Sequence, residues 1–323
     1  MEHFYKIPDK LNWKGRHSDS QEYLHEKVIL KDLSKEFQLP SGLPAYALLG
    51  YACDEGVRRN SGRPGAVEGP DAIRKELGKL ANHLQKEVML VDTGNILCPK
   101  GDLEGSQEML AIKTATLVNS GGIPILLGGG HDIAYGHYRG LRRALGKGKK
   151  LGIINFDAHF DLRTNVDGNH SGSPFFQIAQ ECDADGESFE YICLGIRKEA
   201  NPPELFKTAS RLGVKYISLT EFSMHHYHTV KEALDIFLSK VDKLYVTIDM
   251  DGFSSAYSPG VSASSPIGFS PEIVYASLKI LINSGKLLGI DVAETNPAFD
   301  IDQQTAKLAA GMIHYILHEH SLL

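Results

Sequence analysis

Short apolar runs and amphipathic stretches alternate along this chain. The runs lie at 45–50, 88–92, 123–127, 151–156, 191–196, 214–219, 243–248 and 287–292. Each is too short for a helix and nearly continuous in aliphatic residues, which predicts strands buried on both faces. The intervening stretches at about 70–82, 106–120, 133–145, 203–212, 229–240, 271–284 and 303–319 carry apolar residues at helical spacing. Pro70 suits a first helical turn, and Ser270 followed by Pro271 reads as an N-cap and first turn. Gly121-Gly122 and Gly213 read as helix stops. Strands alternating with helices predict a parallel sheet covered on both faces. Spacing alone leaves two closures open, a barrel or an open doubly wound sheet. The loop after 161 predicts no regular element before 191. Residues 1–43 are polar, hold the single tryptophan, Trp13, in an irregular stretch, and offer one helical stretch at 22–38. They read as an N-terminal extension to a single domain at 44–323.

The polar residues that break this pattern fall just after predicted strands, where ligands of parallel sheets bind. The apolar run 151–156 ends in Asp157, His159 and Asp161. Residues two apart in extended backbone point the same way, so two carboxylates and an imidazole leave the strand together. Burying three such groups uncompensated would cost several kcal/mol, and a divalent cation would compensate them. Three further strand ends repeat the theme: Gly128-Gly129-Gly130-His131-Asp132, Asp249-Met250-Asp251-Gly252, and Asp291-Val292-Ala293-Glu294-Thr295-Asn296-Pro297. Each alone also reads as an ordinary polar turn. Together they form an oxygen-rich donor set with two imidazoles and no sulfur, which suits manganese or magnesium better than zinc, the histidines favouring manganese. So many carboxylates suit two ions rather than one. A pair of ions with a bridging hydroxide makes a hydrolytic nucleophile at neutral pH.

Composition narrows the alternatives. The formal net charge of −6 argues against a nucleic-acid partner. No apolar run reaches the roughly 18 residues of a membrane span, and the first residues lack an apolar signal core. Cys53, Cys98, Cys182 and Cys193 are scattered with no Cys-x-x-Cys pair, so a thiolate metal site is not expected and a reducing cytoplasm is. His225, His226, His228, His314, His318 and His320 have no ligand spacing to the strand-end set.

The four motifs, in this order and spacing, resemble the ureohydrolase family of arginases, agmatinases and formimidoylglutamases across roughly residues 45–320. The resemblance implies a three-layer α/β/α fold around a central eight-stranded parallel sheet, two Mn2+ per subunit, and a homo-oligomer. His131, Asp157, Asp161 and Asp249 resemble ligands of one ion. Asp157, His159, Asp249 and Asp251 resemble those of the other, with Asp157 and Asp249 bridging. Glu294 resembles the carboxylate that holds an amidine or guanidine, and Asp251 is a candidate proton relay.

Local features favour the formimidoylglutamase branch. Asp161-Leu162-Arg163 stands where arginases have Asp-Ile-Asn, and Ser171 stands where arginases and agmatinases place a histidine before the glycine. The segment Tyr257-Ser-Pro-Gly-Val-Ser-Ala263 points the same way. The expected reaction is hydrolysis of N-formimidoyl-L-glutamate to L-glutamate and formamide, by attack of a metal-bridging hydroxide on the formimidoyl carbon. The alternative is a guanidine hydrolase releasing urea. A small acidic substrate needs cationic forks for its carboxylates. Arg163, two residues past a ligand, and Arg197, after another strand, are the candidates, with Ser171 beside them. One of Arg58, Arg59 and Arg63 on the loop after the first strand is a further possibility. His170, one position before Ser171, is the remaining catalytic candidate for proton transfer. Its ordinary reading is a loop histidine.

Overall fold

Parallel pairing joins the apolar runs into one open sheet. The computed structural model describes residues 2–40, 42 and 44–323. Its strands are β1 (Tyr5–Lys6), β2 (Ile29–Leu30), β3 (Ala45–Ala52), β4 (Met89–Leu97), β5 (Ile123–Gly128), β6 (Leu151–Phe156), β7 (Glu190–Ile196), β8 (Lys215–Ser218), β9 (Lys243–Asp249) and β10 (Leu287–Ala293). The long strands run in the order β4-β3-β5-β10-β9-β6-β7-β8, all parallel. Among the described residues β8 pairs only with β7, so the sheet is open and the barrel alternative is excluded. The two short strands were not expected. Both pair with β4, β1 antiparallel and β2 parallel.

The helices are α1 (Leu24–Lys27), α2 (Glu55–Arg59), α3 (Gly69–Leu77), α4 (Leu103–Asn119), α5 (Ile133–Leu145), α6 (Pro174–Asp185), α7 (Pro203–Arg211), α8 (Tyr227–Leu238), α9 (Pro271–Asn283) and α10 (Gln304–His320). They cover the two faces in three layers. Strand alternation explains how one run serves both. On β6, Ile154 packs with the α3, α8, α9 and α10 side, while Ile153 packs with Tyr138, Phe175 and Leu205 on the opposite side. Helices α4 and α5 approach closely because Gly140 of α5 faces Thr114 of α4, where an added Cβ would sit 2.5 Å from the threonine Cβ.

The helix expected at 22–38 is a single turn. From Val28 the chain is extended, and Ile29 and Leu30 pair with Val91 and Asp92 instead. Trp13 is buried, and its indole donates to Asp92 Oδ2 at 2.7 Å. Residues 1, 41 and 43 lie outside the described residues, so the expected boundary at 43 is not placed. Among the described residues no helix is long and apolar enough to cross a membrane.

Candidate metal centre and its cavity

The four motif-bearing strands are the central four of the sheet, side by side in the order β5, β10, β9, β6. Their carboxyl ends therefore converge, although the residues they carry span 131 to 294 in sequence. Each end is built for close approach. Gly129 and Gly130 donate their N–H groups to Tyr51 and Cys53 carbonyls at 2.9 Å, and a side chain on Gly129 would collide with the Cys53 carbonyl. That turn starts α5 and turns His131 inward. Asp161 (φ 47°) and Glu294 (φ 63°) sit in the left-handed region, which non-glycine residues rarely adopt and which concentrates at functional sites.

Two groups of donors result. His131, Asp157, Asp161 and Asp249 form one; Asp157, His159 and Asp251 form the other. His131 Nδ1 lies 3.2 Å from Asp157 Oδ2 and 2.9 Å from both Asp161 Oδ2 and Asp249 Oδ2. His159 Nδ1 lies 3.4 Å from Asp157 Oδ1 and 3.3 Å from Asp251 Oδ1. Asp157 thus turns one oxygen to each group. Neighbouring amides hold the carboxylates: His159 N–H donates to Asp157 Oδ1 and Asp251 N–H to Asp249 Oδ1, both at 2.7 Å. Asn155 Nδ2 donates to Asp157 Oδ2 at 3.0 Å.

The electrostatics ask for positive charge. Burial pushes the Asp249 carboxyl well above its ordinary range, with Asp251 and Asp157 adding to it. Burial raises Asp161 too, helped by Asp157. Glu294 is driven well up by burial and by the charges of Asp249 and Asp251. Burial works against the imidazoliums of His131 and His159, yet the surrounding carboxylates outweigh it and raise both well above the ordinary histidine value. Asp157 is likewise held low by both imidazoles against its burial. Despite this crowding, His131 Nδ1 and Asp251 Oδ1 are buried and make no hydrogen bond. Divalent cations fit this donor set: they would occupy the atoms left without partners and relieve the mutual repulsion of the acids.

Above the acids lies a cavity of about 220 Å³. His131, His159, Asp161, Asp249, Asp251 and Glu294 line its floor, and Arg163 and Ser171 line it as well. Glu294 Oε1 accepts from His131 N–H at 3.0 Å, while its Oε2 is buried without a partner. Arg163 is exposed and is the one guanidinium among the described residues lining the cavity.

The structure does not bring every expected residue here. His170 is turned away by its own loop: Nε2 lies 3.2 Å from the Thr164 carbonyl, and Nδ1 accepts from Gly172 N–H. Arg197 is buried beside the cavity rather than in its lining, bound through Nη1 to the Ile267 carbonyl at 2.9 Å. Arg58 and Arg59 pair with Glu55. Arg63 binds the carbonyls of Val261 and Ser262 and stacks on Phe299. Residues not singled out from sequence also line the cavity: Asn60, Asn201 and Ser262. Asn60 donates to Ser171 Oγ at 3.2 Å, joining the loop after β3 to the loop after β6. These are amides and hydroxyls on separate loops, and no spacing in one sequence marks them.

Residues 44–318 match the family described as the arginase family. The chain is similar to formimidoylglutamase of Geobacillus sp. (strain WCH70), 41% identical over 322 residues, which covers 98% of this chain and 97% of the relative. Its fold is similar to the crystal structure of formimidoylglutamase from Bacillus subtilis, with a TM-score of 0.81 at 22% identity over 95% of this chain and 94% of the other. A variant of formiminoglutamase from Trypanosoma cruzi, crystallised with Mn2+, superposes with a TM-score of 0.76 at 25% identity, covering 88% and 95% of the two chains.

Proposed function

This chain belongs to the arginase family, and we propose that it hydrolyses N-formimidoyl-L-glutamate to L-glutamate and formamide. The observation that carries the proposal is the polarity of the cavity. It holds a buried carboxylate, Glu294, with one oxygen unpartnered, and a guanidinium, Arg163, in the same lining. An amidinium fits the first and a carboxylate the second. The relative from Geobacillus, similar along nearly the whole chain, carries the same activity in its name. Agmatine, a cation at both ends, would meet Arg163 unfavourably.

We further propose two Mn2+ ions, one held by His131, Asp157, Asp161 and Asp249, the other by Asp157, His159, Asp251 and Asp249. The oxygen-rich set with two imidazoles supports manganese, and the T. cruzi relative was crystallised with it. Bound there, the ions would supply water activated at neutral pH and positive charge where negative charge develops.

The side chains do the positioning. Glu294 accepts the N–H groups of the amidinium and sets the trigonal carbon above the acids, chiefly an orientation effect. Arg163 and Ser171 hold the glutamate end. Asp251, at the floor of the cavity beside His159, takes the proton lost by the attacking water and returns it to the departing amine nitrogen.

The test is a substrate panel run with added Mn2+, reading formamide, urea and ammonia separately. Formamide from N-formimidoyl-glutamate with little urea from arginine, agmatine or guanidino acids is expected. Urea as the main product would move the chain to the guanidine-hydrolysing branch.

A further inference from the structure

Behind His131 runs a chain of buried polar groups that the mechanism above does not use. His131 Nε2 lies 2.9 Å from Thr247 Oγ1. The Thr247 hydroxyl donates to Asp291 Oδ1 at 2.5 Å. Asp291 Oδ2 meets the Tyr245 hydroxyl at 2.6 Å and His137 Nδ1 at 2.6 Å. All five side chains are buried between the sheet and α5. None of the outer four touches the cavity.

Hydrogen accounting fixes the direction of this chain. A hydroxyl has one hydrogen, and a carboxylate has none. His137 Nε2 has no partner and faces Gly289, where an added Cβ would lie 2.7 Å away. A proton on that nitrogen would be buried with no acceptor, so the proton sits on Nδ1 and points at Asp291. Tyr245 is a neutral phenol, its proton held tightly by burial and by Asp291. Asp291 therefore receives three hydrogens, from His137, Tyr245 and Thr247. Thr247 has then spent its only hydrogen, and its oxygen is left to accept. The proton on that contact must come from His131 Nε2. Nδ1, the nitrogen among Asp157, Asp161 and Asp249, is left for the cation.

We propose that Asp291 is a positioning residue: acting through Thr247, and steadied by Tyr245 and His137, it keeps the proton of His131 on Nε2 and presents Nδ1 to the metal. Its consequence for metal binding rests on the two-ion reading given above. Asparagine at 291 breaks the arrangement in a definite way. An amide hydrogen turned toward Thr247 would reverse that hydroxyl, which would then donate to His131 Nε2 and push the imidazole proton onto Nδ1, the wrong nitrogen.

The experiment has two arms on the full-length protein. In the first, 15N-histidine NMR of the metal-free wild type, followed up in pH until the His131 ring has given up one of its two protons, is read for the hydrogen that remains, expected as a slowly exchanging Hε2 on His131, identified by its contact with Thr247. The signal is expected in the wild type and absent from Thr247→Val; an Nε2 without a proton in the wild type overturns the proposal. In the second, Mn2+ affinity is measured by calorimetry. Asp291→Asn and Thr247→Val are expected to weaken binding by about 10–100-fold, and Thr247→Ser, which keeps the hydroxyl, to stay within about threefold of wild type. A folded Thr247→Val protein with wild-type affinity overturns the proposal, and this pair decides the matter if Asp291→Asn does not fold. A wild type that takes up no Mn2+ would sink the two-ion reading, while the NMR arm still decides the relay.

Discussion

Arg163 leaves the end of β6 two residues past Asp161 and runs over Gly172, where an added Cβ would come within 3.0 Å of Arg163 Cδ. The glycine leaves the arginine its path along the cavity wall. Its contact with a substrate carboxylate would be the same before and during reaction, which is uniform binding. Arg163→Ala is therefore expected to raise KM for N-formimidoyl-glutamate about tenfold, in line with the loss of a solvent-exposed charged hydrogen bond, and to leave kcat nearly unchanged. Steady-state kinetics check this, and an unaltered KM would remove Arg163 from the carboxylate subsite. Asp249→Ala tests the floor of the site: bound manganese, measured by elemental analysis after desalting, should fall and turnover should be lost. The acids and imidazoles of that floor were legible only in combination: each strand end alone also reads as a polar turn, and it is four such ends with oxygen-rich donors that point to one shared cluster. Arg197 and His170 are of the right type at plausible places in the chain. Their directions depend on the Ile267 carbonyl and on the turn at Gly172, which spacing does not encode.

Elements were legible where one residue type dominates. Each of the eight apolar runs is a strand, and the seven helical stretches are helices with ends shifted by a few residues. Helix α6 went unread although Ser173-Pro174 repeats the start signal of Ser270-Pro271 and Gly186 supplies a left-handed stop at φ 67°. Its neighbours in sequence belong to a polar loop, which masks the change of period. Helix α10 carries an element-scale consequence. His314 and His318 lie against the loop after α3, where His314 Nε2 lies 2.7 Å from the Ala81 carbonyl and His318 Nε2 accepts from His83 N–H. Burial holds both imidazoles below the ordinary histidine value, partly offset by backbone carbonyls. In the unfolded chain these rings take up protons from about pH 6.5 downward. The folded chain binds fewer, so this contribution is intact above that pH and stability falls as pH drops below it. The melting temperature of wild type relative to a His314→Gln, His318→Gln variant is expected to drop between about pH 7 and 5.5, read by calorimetry. An identical pH course in both proteins would place the effect elsewhere.

On the scale of the whole molecule, the N-terminal stretch is tied to the core by the pairing of β1 and β2 with β4 and by a buried junction at Asp92. Asp92 of β4 accepts from the Trp13 indole on one oxygen and from Arg74 Nε and Nη2 on the other. Trp13→Ala would remove a large side chain from the core that contains Leu24, Leu77 and Leu90 and leave Asp92 short of a donor. A loss of about 3–5 kcal/mol is expected from denaturant unfolding; a loss below about 1 kcal/mol would mean that the stretch is only loosely docked. The strand order carries a consequence for how the chain becomes a protein. Strands β9 and β10, the last two strands in this sequence, are the two that separate β5 from β6. Without them the remaining long strands can form only two half-sheets, each with a bare edge where the other should be, and such edges invite the wrong partner. The last strands enter as a keystone. Pairing of β9 and β10 closes both edges and joins the His131 and Asp157 segments in one site, so a product truncated before β9 is expected to lack the joined sheet and the gathered donor set together.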